Sequence, residues 1–269
     1  MGGSVKEDLA SLGIRPSKRF GQHFLVDESV AHRQVYYAKL SKSDTVLEIG
    51  PGLGTLTRLI APKAGRLVAI ESDRRLCGHL SGKVDAEIIC GDALDVPFPE
   101  FNKVVANLPY SISSPITFKL LEHDFEVGIL MYQLEFAERM VARPGTKDYS
   151  RLSVMAQHRA AIEFMEKVPR TAFHPQPAVD SAIIKVAPRK PGYEVADERA
   201  FEAIVRVLFS HRRKKIRTTM CLCSRELRVS KETAERVAEE SGYADARVET
   251  LEPSELAALS NLLHEARSG

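Results

Sequence analysis

The segment KVVANLPYSISS, Lys103 to Ser114, sets a carboxamide, a rigid turn and an aromatic ring in close succession after an apolar run. No acid, base or nucleophile stands between Asn107 and Tyr110, so the pair suits a group that must be reshaped rather than deprotonated beforehand. The exocyclic amine of a nucleobase is such a group, because its lone pair is delocalised into the ring. Acceptors placed on its two hydrogens pull the nitrogen toward a tetrahedral shape whose lone pair can point at an electrophilic methyl. The Asn107 side-chain oxygen and a backbone carbonyl at Leu108 or Pro109 are the candidate acceptors. Tyr110 would stack on the base and hold its plane. Phe173, in a loop stiffened by Pro175 and Pro177, is the candidate second ring; a core Phe that anchors the loop is the competing reading.

A methyl donor needs its own cradle, and EIGPGLGTLT, Glu48 to Thr57, offers one. Glycines 50, 52 and 54 lie where a strand turns into a helix, which lets backbone approach a ligand closely. The dinucleotide fingerprint would put its third glycine at position 55, which is Thr, so the spacing argues against NAD. Glu71 closes VAIESD and Asp92 follows IICG. A carboxylate at the first place can take both hydroxyls of a ribose, and one at the second an adenine amino hydrogen. In register with the glycine turn they fit an adenosyl group, although either acid alone could be an N-cap or a solvated strand end.

The elements that must position these residues are legible as a period. TVLEIG, RLVAIE, AEIICG, KVVANL and VGILMYQ are short and rich in Val, Ile and Leu, as in strands buried on both faces of a parallel sheet. TLTRLIAPKA, SDRRLCGHLSG and PITFKLLEHD read as intervening helices, and AIEFMEKV and SAIIKVAP as two later strands. The fold class predicted is α/β: a doubly wound, Rossmann-like domain over residues 1–190. The PRKPGYE segment then breaks the pattern. Beyond it, ERAFEAIVRVLF, KETAERVAEES and SELAALSNLLHEA carry apolar residues at helical spacing, predicting a small all-helical domain over 191–269.

With 269 residues, 44% of them hydrophobic, and a net charge of +2, the composition is that of an ordinary globular protein. No apolar run is long enough to cross a bilayer and MGGSVKEDLASLG is no signal peptide, so a cytoplasmic location and no membrane partner are expected. Cys77, Cys90, Cys221 and Cys223 form no C-x-x-C pair; no metal site is expected, and reduced thiols are. HRRKKIR, residues 211–217, holds five cations in seven residues. As a helix it would set Arg212 with Lys215, and Arg213 with Arg217, on neighbouring faces as a stripe able to follow a phosphate backbone, with Arg212, Arg213, Lys214 and Lys215 the candidate RNA contacts, whereas a solvated face is the commoner fate of such a run.

FGQHFLVD, EIGPGLGTLT, ESDRRL, GDAL, NLPYSISSP, FHPQPAVDS and FSHRRKKIRTTM, in this order over about residues 14–225, resemble the KsgA-type ribosomal RNA adenine dimethyltransferases. The resemblance implies S-adenosyl-L-methionine as donor and two adjacent adenosines near the 3′ end of small-subunit rRNA as substrate, each dimethylated at N6. It also implies a role in small-subunit biogenesis and, as partner, the small ribosomal subunit, met by a monomer. Carried onto this chain, it places His23, Leu25, Gly50, Gly52, Glu71, Asp92 and Asn107 at the donor, Asn107, Tyr110 and Phe173 at the adenine, and Arg212 to Lys215 on RNA. His23 in GQHFLVD is similar to the archaeal and eukaryotic branch, since bacterial relatives usually carry Asn there. The alternatives are a large-subunit methyltransferase of the erythromycin-resistance type, which shares the N-[IL]-P-Y motif, and a mainly non-catalytic ribosome-assembly factor.

Overall fold

The computed structural model describes residues 5–16 and 22–268, the side chains of Lys6 and Ser268 excepted. Phe20 and Gly21, which open the FGQHFLVD motif, lie outside the described residues. The chain divides into two compact units: residues up to Ala137 with Ala161–Pro188, and Glu138–Ala160 with Arg189 onward.

The elements of the first unit are, in chain order, α1 (Val5–Ser11), β1 (Phe24–Leu25), α2 (Glu28–Ala38), β2 (Thr45–Ile49), α3 (Thr57–Ile60), β3 (Arg66–Glu71), α4 (Arg74–Leu80), β4 (Glu87–Cys90), β5 (Lys103–Asn107), α5 (Ser113–Leu120) and β6 (Val127–Gln133). After α6 (Leu134–Met140) and α7 (Arg151–Arg159) the chain adds β7 (Ala160–Val168), β8 (Phe173–His174) and β9 (Ser181–Pro188). Seven strands form one sheet in the order β4-β3-β2-β5-β6-β9-β7, while β1 and β8 pair separately. From β4 to β6 the neighbours run parallel, and β9 is antiparallel to β6. All the strands expected from their apolar runs are present. The order reverses between β2 and β5, and a crevice opens outside the carboxyl ends of strands at such a point.

Local chemistry explains the elements. Asp27 starts α2 and Asp73 starts α4, each carboxylate accepting the N–H two residues on. The inner strands are buried along nearly their whole length, whereas β4 is half exposed because it is the sheet's edge, a difference from the uniformly buried strand its apolar run predicts. TLTRLIAPKA yields only the four-residue α3. α2 packs Val30, Ala31, Val35 and Ala38 into a core with Val46, Val105, Ile129 and Ile183.

Cys77 and Cys90 are joined by a disulfide, which corrects the expectation of reduced thiols for this pair; Cys221 and Cys223 are free. Thirteen residues separate the pair in sequence, and only the packing of α4 beside β4 brings the sulfurs together.

In the second unit, α7 is followed after residue 189 by α8 (Glu198–Phe209), α9 (Ile216–Leu222), α10 (Lys231–Glu240) and α11 (Pro253–Ser268). The sequence reading places 138–160 within the 1–190 domain; in the structure this stretch groups with the helices instead. The buried His158 of α7 bonds Tyr193 and Glu198, and the Tyr149 hydroxyl donates to the Leu251 carbonyl. Among the described residues no helix is long and apolar enough to cross a membrane.

Glu48, in β2, is buried with its Oε2 unpartnered, and burial raises its carboxyl from 4.5 to about 8. The folded chain therefore holds a proton that the unfolded chain releases between these values, so this group lowers stability as pH rises from about 4.5 to 8. Glu48→Gln is expected to unfold at a higher temperature than the parent chain by a margin that widens from pH 5 to pH 8 in paired thermal melts; a constant margin would show that Glu48 does not titrate there.

Candidate functional site

A cleft opens at the carboxyl edge of the sheet, within the first unit. Gly50 (φ +71°) and Gly52 (φ +58°) turn the chain away from β2 in the left-handed region, and a Cβ on Gly52 would stand 3.2 Å from the Phe24 ring. Glycine stands at both positions because other residues rarely adopt these dihedrals, and at Gly52 the space beside Phe24 is tight as well.

Glu71 ends β3 and is 5% exposed. Its Oε2 accepts the Gly52 N–H at 3.1 Å and its Oε1 the Asp73 N–H at 3.0 Å. Burial pushes its pKa up, and these backbone bonds oppose the shift. Oε2 keeps an open lone pair, and at Oε1 the Ser72 hydroxyl stands at a long 3.5 Å that a ligand hydroxyl can displace, so the carboxylate can still accept two hydroxyl hydrogens. Asp92 lines the same cleft, and its Oδ1 accepts the Leu94 N–H at 2.9 Å. The turn-capping job and the cleft position therefore belong to one residue.

Asn107 is the last residue of β5, opposite Met131 in β6. Its Oδ1 is buried and has no hydrogen-bond partner, although an unpaired buried acceptor costs roughly 1–3 kcal/mol. It lines the cleft. Such an orphan is what a site built to accept a ligand's N–H looks like before the ligand arrives. Pro109, next in the turn, gives its carbonyl to the Ile112 N–H at 3.1 Å. Among the described residues no backbone N–H reaches the Leu108 carbonyl.

Tyr110 opens the 3-10 turn that leads into α5. Its hydroxyl bonds the Ser181 Oγ at 2.6 Å, and Ser181 is fully buried at the head of β9. His23 stacks on the Tyr110 ring with centroids 5.5 Å apart and planes at 30°. The His23 Nδ1 lies 2.7 Å from the Pro175 carbonyl. Protein thus packs on one face of Tyr110 and clamps its hydroxyl, while the residue lines the cleft. Ser181 was missed by sequence reasoning: its signal is faint, a lone hydroxyl opening an apolar strand.

Phe173 lines the cleft but is only 4% exposed, pairs with Leu25 across β1 and β8, and belongs to the core. The ring is a core Phe whose edge also reaches the cleft lining. Leu25 does not line the cleft; it packs in the core behind it, and its carbonyl accepts the Thr55 hydroxyl. The cleft thus gathers His23, Gly50, Gly52, Glu71, Asp92, Asn107, Tyr110 and Phe173, but not Leu25.

The basic run belongs to the second unit, and its geometry corrects the expected helical stripe. Residues 211–214 form a turn between α8 and α9. Arg212 donates to the Lys147 and Tyr149 carbonyls at 2.9 and 2.8 Å and faces Glu249. Lys215 pairs with Asp245 at 2.9 Å, and Arg217 with Glu239. Arg213 and Lys214 make no ion pair among the described residues.

A glycine turn after β2, a buried acid ending β3 and an asparagine ending β5, gathered on one cleft of a reversed parallel sheet, belong to a Rossmann-like fold of the S-adenosylmethionine-dependent methyltransferase class. The model of the ribosomal RNA adenine dimethylase family matches residues 14–258. A probable ribosomal RNA small subunit methyltransferase A from Methanosarcina mazei is 49% identical over 255 residues, covering 93% of each chain. One from Thermococcus gammatolerans is 46% identical, over 90% of this chain and 87% of its own. Among solved structures, a dimethyladenosine transferase from Plasmodium falciparum aligns with a TM-score of 0.81 and 29% identity over 91% of this chain and 98% of its own. The 23S rRNA methyltransferase ErmE aligns with 0.66 and 33% over 90% and 99%. The chain belongs to the ribosomal RNA adenine dimethylase family.

The dual position of Phe173 makes it separable by two substitutions. Phe173→Ala is expected to cost about 3–5 kcal/mol of stability as a core truncation. Phe173→Leu fills most of that volume and should melt close to the parent chain while still losing the roughly 1–3 kcal/mol of base stacking, read as a fall in methyl transfer. Parental transfer in the folded Leu variant would confine Phe173 to the core.

Proposed function

We propose that this chain transfers methyl groups from S-adenosylmethionine to the N6 amines of two adjacent adenosines near the 3′ end of small-subunit rRNA. The observation that carries the reading is the unpartnered, buried Oδ1 of Asn107 in a cleft that also holds Glu71 and Tyr110. Glu71 takes the donor's ribose hydroxyls, Asp92 its adenine amine, and the Gly50–Gly52 turn lets backbone approach it closely. The bound donor supplies an electrophilic methyl group. Asn107 Oδ1 and the Leu108 carbonyl accept the two N6 hydrogens and turn the nitrogen lone pair out of the base plane. Tyr110, clamped by Ser181 and His23, supports one face of the adenine and Phe173 faces the other. Once methylated, the nitrogen is cationic and its proton passes to Asn107 or to water, so no strong base is required.

The small-subunit reading rests on the curated archaeal relatives, named for that subunit and 44–49% identical to this chain. The helical second unit is assigned to the ribosome, with the chain acting as a monomer in the cytoplasm. Within HRRKKIR, Arg213 and Lys214 are the cations with no ion pair among the described residues and are assigned to phosphates first, Arg212 being tied to carbonyls and Lys215 and Arg217 held in exposed pairs.

Asn107→Ala should cut methyl transfer to immature small subunits by roughly a hundredfold or more at saturating donor, while calorimetry still detects S-adenosylhomocysteine, held by Glu71 and Asp92. Near-parental turnover would remove Asn107 from the reaction, and a parent chain that binds subunits but transfers nothing would favour the assembly-factor reading.

Changing Arg213 and Lys214 together to Gln is expected to weaken subunit binding and flatten its salt dependence by roughly 0.7–0.9 in logarithmic slope for each phosphate no longer neutralised, with donor affinity unchanged. An equal slope in a salt titration would leave these cations as a solvated turn.

A further inference from the structure

The wall of the cleft beyond β4 is one turn. Gly91, Asp92 and Ala93 line the cleft, and the turn continues to Val96, where the Asp95 and Val96 N–H groups return to the Asp92 carbonyl at 2.9 Å each. Those bonds leave the carbonyls of Ala93, Leu94 and Val96 directed elsewhere. All three are taken by one side chain: the Lys119 ammonium donates to them at 2.8, 3.0 and 2.7 Å. An ammonium has three N–H groups, and here each has a carbonyl of the same turn. The Phe98 ring supports the cation from the side, 4.4 Å from its centroid.

Lys119 stands in α5, the helix that begins directly after the NLPY turn. Its side chain therefore ties the helix that follows Asn107 and Tyr110 to the turn carrying Asp92. The sequence shows no such link, since Lys119 and Ala93 lie 26 residues apart and a lysine in a helix reads as a solvated one.

We propose that Lys119 is a positioning residue for the methyl donor: it holds the 92–96 turn in the shape that presents Asp92 and Ala93 to the donor's adenine. The inference rests on the donor-site reading above. Without the ammonium three carbonyls lose their charge-assisted partner together, and the turn relaxes toward solvent. Arginine is no substitute, because its planar fork cannot place three N–H groups on three oxygens arranged around a point charge.

The test is calorimetric titration of the full chain with S-adenosylhomocysteine and, separately, with adenosine, alongside thermal melts and donor kinetics. Lys119→Met is expected to raise the dissociation constant for S-adenosylhomocysteine about tenfold, 1.4 kcal/mol by the usual conversion, and to raise that for adenosine by the same factor. The donor KM should rise with it, while kcat at saturating donor stays within about twofold of the parent. Lys119→Arg should fall between parent and Met variant, and it decides the matter if the Met variant does not fold. Folded variants with parental affinity for both ligands would overturn the role of Lys119, as would a fall in kcat with KM unchanged. A parent chain that binds neither ligand would instead overturn the donor-site reading on which the inference stands.

Discussion

The hydrogen bond from the Gly52 N–H to the Glu71 carboxylate joins the two turns on which the cleft depends. It exists because β2 and β3 are parallel and in register, Ile49 level with Ile70, so the turn after one strand meets the last side chain of the other. Glu71 is thereby oriented before any ligand arrives, at the cost of burying a carboxyl whose pKa rises. Preorganisation of this kind leaves less to be ordered on binding.

The same constraint governs the rest of the edge. Backbone donors and acceptors at strand ends must find partners, and here they serve to fix side chains and turns: Leu94 N–H on Asp92, Asp73 N–H on Glu71, the Leu108 N–H on the Met131 carbonyl. Asn107 Oδ1, at the end of β5, stays buried and unpartnered. Other buried polar atoms also lack partners, Glu48 Oε2 and Ser113 Oγ among them, but of these residues only Asn107 lines the cleft. The aromatic side of the cleft follows the opposite rule. Tyr110 is held at its hydroxyl by Ser181 and on one face by His23, so its ring is fixed where it lines the cleft.

In the helical unit, cations are paired within the chain as well. Arg212 and Lys215 belong to a sequence run that reads as a cationic stripe, yet each is tied down, one by the Lys147 and Tyr149 carbonyls and the other by Asp245. Charge density in a sequence is therefore a poor measure of charge available to a partner. Which cations remain free depends on turns and acids far away in the chain.

The sequence by itself determined the alternation of buried strands and helices, the glycine turn, the two acids at strand ends and the Asn-Leu-Pro-Tyr turn, because each is a local pattern: apolar period, left-handed backbone, a side chain set at the end of a strand. It also marked the helical tail. Tertiary structure alone decided what depends on distant segments meeting. Pairing of β1 with β8 put Phe173 in both core and cleft and set Leu25 behind it. Packing of α4 beside β4 brought Cys77 to Cys90. The antiparallel entry of β9 beside β6 carried Ser181 to Tyr110, α5 carried Lys119 to the 92–96 turn, and α7 grouped with the helices that follow residue 189. The physical reason is common to all of these: a period reports which face of an element is buried, whereas the neighbour it is buried against is chosen by packing and hydrogen bonding over the whole domain.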